Sequence, residues 1–230
     1  LAGQVSDWEA GLLRALPERF PQPEVTDIEV MVGWNYAFAD AMRKVQAVHP
    51  GNLTVCTFFV EALMNLTPWQ MWDLPGGQPA EGAATLEAQG LLEKAMQTQD
   101  EAWDHPGLLH LYVHLMEMSP TPEAALKAGD RLRRMMPDAG HMLHMASHID
   151  VLCGYYQNVV DWNEAAVEAD LKFWRQHGDL NTYTGYRQHN YHFIPYGAMF
   201  LGQIEPAFPA VPGSWATCAA ELPPTDSPPM

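Results

Sequence analysis

Apolar residues recur every three or four positions over most of the chain, which is the spacing of one face of an α-helix. Alternating runs of β-branched and polar residues, which would indicate strands, are few. Proline, glycine and capping residues divide the pattern into segments. The predicted helices cover residues 25–48, 53–66, 83–98, 107–118, 122–135, 138–152, 156–175 and 183–202. The pattern therefore predicts an all-α protein.

The last four predicted helices form two consecutive helix–turn–helix units. These units repeat at a period of about 35 residues, which is close to the length of a tetratricopeptide repeat. Pro137 and Asp138 stand at the start of one helix and Gly154 follows its end, as expected for these residue types. We predict one tetratricopeptide-like α-α solenoid of antiparallel helix pairs over residues 1–205. Residues 206–230 are rich in proline and predict an irregular C-terminal tail.

Composition and charge limit the classes of partner. The chain has 28 acidic and 12 basic residues and a formal net charge of −16, which argues against nucleic acid or an anionic membrane surface as a partner. No apolar run approaches the roughly 20 residues of a membrane span. Three cysteines without a CxxC pair indicate neither a disulfide framework nor a zinc ribbon. We expect a soluble protein, favour the cytoplasm, and leave the oligomeric state open.

Histidines recur at spacings of three or four on three of the predicted helices, so the imidazoles of each helix share one face. Two ligands on one helix face can reach the same metal ion, and helical bundles hold metal ions between facing helices. Burying several imidazoles costs free energy unless each finds a partner. A hydrogen-bonded histidine network that stiffens the core is the alternative. The predicted metal ligands are His110, His114, His141, His144, His148, His189 and His192.

Two carboxylates are candidates for acid–base chemistry or for additional metal ligation. Glu117 lies three residues after His114 and therefore on the same predicted helix face. Glu61 lies within the apolar segment TFFVEALMNL, where a buried carboxylate would need a cation, a metal ion or a hydrogen-bond donor. A partly exposed helix face explains Glu61 equally well. We predict catalytic or accessory-ligand roles for Glu117 and Glu61.

A substrate pocket is predicted from aromatic residues and one further histidine near the histidine segments. The candidate pocket residues are His105, Tyr112, Trp69 and Tyr191. Aromatic core packing explains these aromatic residues equally well. The chain has no HExxH, GxSxG, P-loop or GxGxxG motif. Zincin, serine-hydrolase, nucleotide-hydrolase and Rossmann redox chemistry therefore have no support.

Four long motifs resemble a largely uncharacterised family of tetratricopeptide-repeat-like proteins found in bacteria and fungi. The motifs are FFVEALMNLTPWQMWD, HPGLLHLYVHLMEMSPTPEAAL, PDAGHMLHMASHIDVLCGYY and YRQHNYHFIPYGAMFLGQ. The resemblance covers roughly residues 30–203 and implies an α-α solenoid whose motif histidines, His105 included, face one interior. The chain departs from the family at Ala146, where the motif usually has proline, and after residue 205, where family members often carry further helical repeats.

Imidazole ligands with one or two carboxylates suit copper, iron or zinc better than magnesium or calcium. We expect copper first, then iron, then zinc, in one site or in a dinuclear pair of neighbouring sites. The first hypothesis is a metal-dependent oxidoreductase that uses copper or iron with dioxygen to oxidise a small-molecule substrate. The second is a zinc-type hydrolase or lyase. The third is a non-catalytic helical-repeat scaffold that binds a partner.

Overall fold

The computed structural model of the protein describes residues 5–24, 27–178 and 183–204. Its α-helices are α1 (Asp7–Arg19), α2 (Ile28–Val48), α3 (Leu53–Met64), α4 (Thr85–Thr98), α5 (Pro106–Met116), α6 (Leu126–Leu132), α7 (Gly140–His144), α8 (Ser147–Leu152), α9 (Tyr156–His177) and α10 (Thr184–Leu201). The described residues also contain 3₁₀ turns at Asp100–Asp104 and Pro122–Ala125, and a short antiparallel hairpin of β1 (Trp72–Asp73) and β2 (Gln78–Pro79). The all-α prediction is confirmed.

The chain forms two compact units, which divide between Thr121 and Pro122. The first unit contains α1 to α5 with the hairpin, and the second contains α6 to α10. That residues 1–205 form one folding domain stays a prediction. The predicted proline-rich tail, residues 206–230, lies outside the described residues.

The first unit is built around α3, which lies against α2, α4 and α5. Phe59 and Leu63 of α3 and Leu109 of α5 are fully or almost fully buried, and each such side chain contributes about 1.5–3 kcal/mol on leaving water. The Asn52 side chain accepts the Val55 amide at 2.9 Å and so caps the start of α3. This packing fixes the segment that follows α3, residues 65–84, which carries the hairpin.

The second unit is built around α9, which packs along α10 and also against α7 and α8. Val160, Val167, Ile194 and Ala198 form the buried contact between α9 and α10. The α9 helix is therefore the element that sets the position of α7 and α10, the carriers of two of the histidine motifs.

Within the described residues no helix, α9 included, is both long and apolar enough to cross a membrane.

The helix predicted over residues 138–152 is interrupted, and the prediction of one continuous helix was wrong. The chain forms α7 and α8 instead, with a turn at Met145 and Ala146 between them. The His148 amide donates to the Met145 carbonyl at 3.2 Å, three residues back instead of four. This tighter 3₁₀-type hydrogen bonding ends the regular α-helical geometry. The helix predicted over residues 122–135 likewise starts as a 3₁₀ turn and is α-helical only in α6.

Candidate metal centre

Three imidazoles converge within the second unit. His144 ends α7, His148 lies in α8, and His189 lies in the second turn of α10. One ring nitrogen from each residue lies within 4.8 Å of the other two. The ring centroids of His144 and His148 are 4.7 Å apart, and those of His144 and His189 are 4.6 Å apart. These three side chains could hold a metal ion.

The buried side chain of Asn163 on α9 sets the protonation of His144. Its Nδ2 atom donates to the Val159 carbonyl at 2.7 Å and to Ser147 Oγ at 2.8 Å. A carbonyl oxygen can only accept, so the amide orientation is fixed and Asn163 Oδ1 faces His144 Nδ1 at 2.6 Å. His144 therefore carries its proton on Nδ1. Its Nε2 atom then carries the lone pair, as in metal-binding histidines held by an outer hydrogen bond.

The Nε2 atoms of His144 and His148 are 2.8 Å apart, which is a hydrogen-bond distance. Because His144 Nε2 has no proton in this tautomer, His148 Nε2 is the donor of that bond. Two nitrogens that share a tetrahedral metal ion at about 2.0–2.1 Å lie about 3.3 Å apart. Metal binding would require the two rings to separate by about half an ångström and His148 to give up its Nε2 proton. Side-chain rotation covers a change of this size.

The electrostatic surroundings keep His144 neutral. Burial lowers the pKa of His144 well below its ordinary value, and the neighbouring imidazoles of His148 and His189 lower it further. The hydrogen bond with Asn163 acts in the opposite direction and is outweighed. A neutral imidazole is the form that offers a lone pair to a metal ion.

An aromatic ring closes one side of the group. The Phe193 ring centroid lies 4.6 Å from that of His144, 5.0 Å from that of His148 and 4.8 Å from that of His189. An apolar wall of this kind lowers the local dielectric constant on one side of the group. Phe193 follows His189 by four residues, so the same face of α10 supplies both side chains.

The other predicted ligands make contacts of their own. In the first unit, His110 and His114 share one face of α5, with ring centroids 4.6 Å apart. His114 Nδ1 lies 2.9 Å from Glu117 Oε1, so these two side chains share one face as their spacing predicted, and the catalytic or ligand role of Glu117 stays a prediction. In the second unit, His141 packs its ring against Tyr186 at 4.6 Å. His192 lies on an exposed part of α10.

The remaining predicted site residues occupy an exposed helix face, a helix cap, the core or the wall of a cavity. Glu61 lies on the exposed face of α3. His105 caps α5, because its Nδ1 accepts the Leu108 amide at 3.2 Å. The Tyr112 hydroxyl donates to Glu93 at 3.2 Å, and burial raises the pKa of Tyr112 to about 12. Tyr191 packs against the core between α9 and α10. Trp69 lines an open cavity in the first unit.

Asn163 is not among the predicted site residues, although the sequence pattern of α9 carries a signal for it. Asn163 falls at the helical spacing of Val159, Val160, Ala166 and Val167, which are among the buried positions of α9. A polar side chain at such a position needs buried hydrogen-bond partners. The pattern could therefore have indicated that α9 contacts a polar group, although it does not show that the group is His144.

No protein family, curated protein or solved structure matches the chain in the comparisons made. The family resemblance drawn from the four motifs therefore stays a prediction.

Proposed function

We propose that the chain is a metal-dependent oxidoreductase whose metal ion is held by His144, His148 and His189. One observation carries the proposal: three imidazole nitrogens converge within 4.8 Å, and a buried amide holds one imidazole in the tautomer that ligates. The same tautomer also lets His144 Nε2 accept a hydrogen bond from His148, so metal content is what separates a metal centre from a histidine network that only stiffens the core. The proposed substrate is a small organic molecule and the proposed electron acceptor is dioxygen.

The donor set supports a transition metal. All three atoms are imidazole nitrogens, which suit copper, iron or zinc, whereas magnesium and calcium prefer oxygen ligands. Three protein ligands leave coordination positions for a substrate or for dioxygen. Copper is the first candidate and iron the second, in a mononuclear site at this group. The dinuclear alternative, with a second neighbouring site, stays a prediction.

The proposed oxidation moves two electrons and two protons from the substrate to dioxygen, which becomes hydrogen peroxide. A bound copper or iron ion supplies the one-electron chemistry that the side chains of this chain lack. The residues of the chain bind and orient: Asn163 holds His144, and Phe193 packs against the imidazole rings on one side.

A zinc-dependent hydrolase or lyase is the second candidate. The observation that favours it is the ligand number, because catalytic zinc sites typically have three protein ligands and one open position. In that case the bound ion would act as a Lewis acid toward water or substrate.

The fold part of the proposal is a tetratricopeptide-like arrangement. Consecutive helices pack as pairs in both units, α1 with α2 in the first and α9 with α10 in the second. Such pairs are the unit from which α-α solenoids are built.

Elemental analysis tests the function most simply. The protein is purified without a histidine tag and without added metal, and its metals are measured alongside oxygen uptake with a panel of small reductants. We expect copper or iron near one per chain and catalytic oxygen uptake that requires it. Zinc alone would replace the proposal with the hydrolase or lyase. A chain that binds no metal even after reconstitution would refute both and favour a binding scaffold.

A further inference from the structure

A surface cavity lies wholly within the first unit, in the segment between α3 and α4. It is a cavity of about 510 Å³, which is within the range of about 300–1,000 Å³ found for small-molecule sites. The residues of its wall that matter here are two indoles, two apolar side chains and two carboxylates. They are Trp69, Trp72, Leu74, Pro75, Asp73 and Glu81.

One indole is a fixed wall. Trp72 is 9% exposed, and its Nε1 atom donates to the Leu115 carbonyl of α5 at 2.7 Å. The residue also starts β1 and pairs with Pro79 of β2. The ring is therefore held by the core on one side and by the hairpin on the other, so its position does not depend on a ligand.

The other indole stands at the rim in an unusual backbone conformation. Trp69 has φ = +60°, and among the described residues it is the one non-glycine residue with a positive φ. Residues with a Cβ atom disfavour this conformation. The indole is 67% exposed and makes an edge contact with His114, with ring centroids 5.7 Å apart. An exposed aromatic ring held on a strained backbone beside a cavity is typical of a binding position.

The charge of the cavity has one sign. Asp73 and Glu81 line it, and among the residues that the structure describes no lysine, arginine or histidine does. Asp73 Oδ2 accepts the Gly76 amide at 3.1 Å, which holds the carboxylate over the turn between β1 and β2. A Cβ atom on Gly76 would collide with that oxygen. The position of the Asp73 carboxylate therefore depends on glycine at residue 76.

We propose that this cavity binds a small organic cation, an alkylammonium group, against the indoles of Trp69 and Trp72. Aromatic rings attract ammonium groups through their quadrupole, and quaternary ammonium ions are the ligands that aromatic cages recognise best. Asp73 and Glu81 supply the opposite charge. The site is independent of the proposed metal centre, since it uses no residue of that centre.

Choline and its uncharged carbon isostere, 3,3-dimethyl-1-butanol, are the probes. The two molecules have nearly the same shape, so the comparison isolates the positive charge. Isothermal titration of the full chain should give saturable binding of one choline, and the isostere should bind at least about tenfold more weakly. Equal affinity for both probes, or no saturable binding of choline, would overturn the proposal.

Substitutions in the wall of the cavity test whether choline binds there. Trp69→Leu should weaken choline binding about tenfold, and Trp69→Phe, which keeps an aromatic face, should restore most of it. The double variant Asp73→Asn/Glu81→Gln should also weaken binding. Glu18→Gln/Glu101→Gln is its control, because it removes the same charge from exposed positions of the same unit.

Three results decide whether choline binds at this cavity. Unchanged affinity in Trp69→Leu, with a far-ultraviolet circular dichroism spectrum like that of the unchanged protein, contradicts the proposal. An equal loss of affinity in the acidic control would mean that only the net charge attracts choline, which also contradicts it. Trp174→Leu, in the second unit, controls for the general effect of removing an indole and should leave the affinity unchanged.

Discussion

The Asn163 side chain makes hydrogen bonds to three different groups, and each bond constrains the others. Its Nδ2 atom joins α9 to Ser147 at the start of α8, and its Oδ1 atom holds His144 at the end of α7. All three residues are fully buried. A single amide therefore determines both the position and the tautomer of one candidate ligand. Asn163 therefore affects both the stability of the protein and the geometry of the candidate metal centre.

Replacing Asn163 should affect both properties. Asn163→Leu leaves His144 Nδ1 and the Ser147 hydroxyl without this partner, so we expect a loss of about 1–3 kcal/mol in the free energy of unfolding. Metal affinity should fall about 10–100-fold because the ligating tautomer is no longer enforced. Urea denaturation and competitive metal titration measure the two effects. The exposed neighbour Glu164→Leu is the control, and equal metal affinity in both variants would contradict the assigned role.

Asp170 predicts a pH dependence of stability. Burial raises the pKa of Asp170 to about 6, although hydrogen bonds from Asn190 and Tyr183 and the charge of Arg187 oppose the shift. In the unfolded chain the value is about 4. The folded state therefore binds the proton more tightly, and this contribution to stability is present below about pH 4 and is lost as the pH rises through about 6.

Asp170→Asn should remove that part of the pH dependence. Between pH 4 and pH 6 the free energy of unfolding of the variant, relative to the unchanged protein, should rise, because only the unchanged protein loses a stabilising proton. Urea denaturation at several pH values measures the difference. Parallel curves for the two proteins over this interval would show that Asp170 does not titrate abnormally.

At the scale of secondary-structure elements, a buried ion pair joins α8 to the residue that follows α6. Arg133 Nη2 lies 2.7 Å from Asp150 Oδ2, and both side chains are 1% exposed. The guanidinium also lies 5.2 Å from the centre of the Trp162 ring on α9. Because α8 carries His148, this pair also supports the candidate metal centre.

Breaking the pair on one side should be costly. Arg133→Met leaves the Asp150 carboxylate buried without its cation, and we expect a loss of about 3–5 kcal/mol. Arg133→Met/Asp150→Leu removes both charges and should recover much of that loss. The control is Lys172→Met, since the Lys172–Asp138 pair is exposed and should contribute less than about 1 kcal/mol. If the single and double variants are equally unstable, the charge is not the cause.

The sequence predicted most helices because their signals are local. Amphipathic spacing and capping residues act within one helix, so α3, α4, α9 and α10 lie close to the predicted segments. α1 was missed, although Ser6 and Glu9 form a capping box at its start. The break between α7 and α8 was not predictable from spacing, because the histidine and apolar positions fit one continuous helix equally well.

The candidate site was predictable in part. Spacings of three and four indicated that His144 and His148 approach each other, and they do. The packing of α10 against α9 determines which of the seven predicted histidines converge. No local sequence pattern encodes such a long-range contact. The ligand roles of these histidines stay predictions.

At the scale of the whole molecule, the net charge of −16 affects how metal binding must be measured. A strongly acidic surface attracts divalent cations without any specific site. Total metal content alone therefore does not identify a binding residue. A pair of variants that differ only in the position of one histidine removes this ambiguity, because the surface charge changes equally in both.

His189 and His192 form that pair, three residues apart on α10. His189 belongs to the converging group, whereas His192 is exposed and does not. The decisive measurement is the metal content of His189→Ala and His192→Ala after purification and dialysis under the same conditions. We expect His189→Ala to lose most of its copper or iron and His192→Ala to retain it. Equal metal content in the two variants would contradict the assignment of the metal centre to His144, His148 and His189.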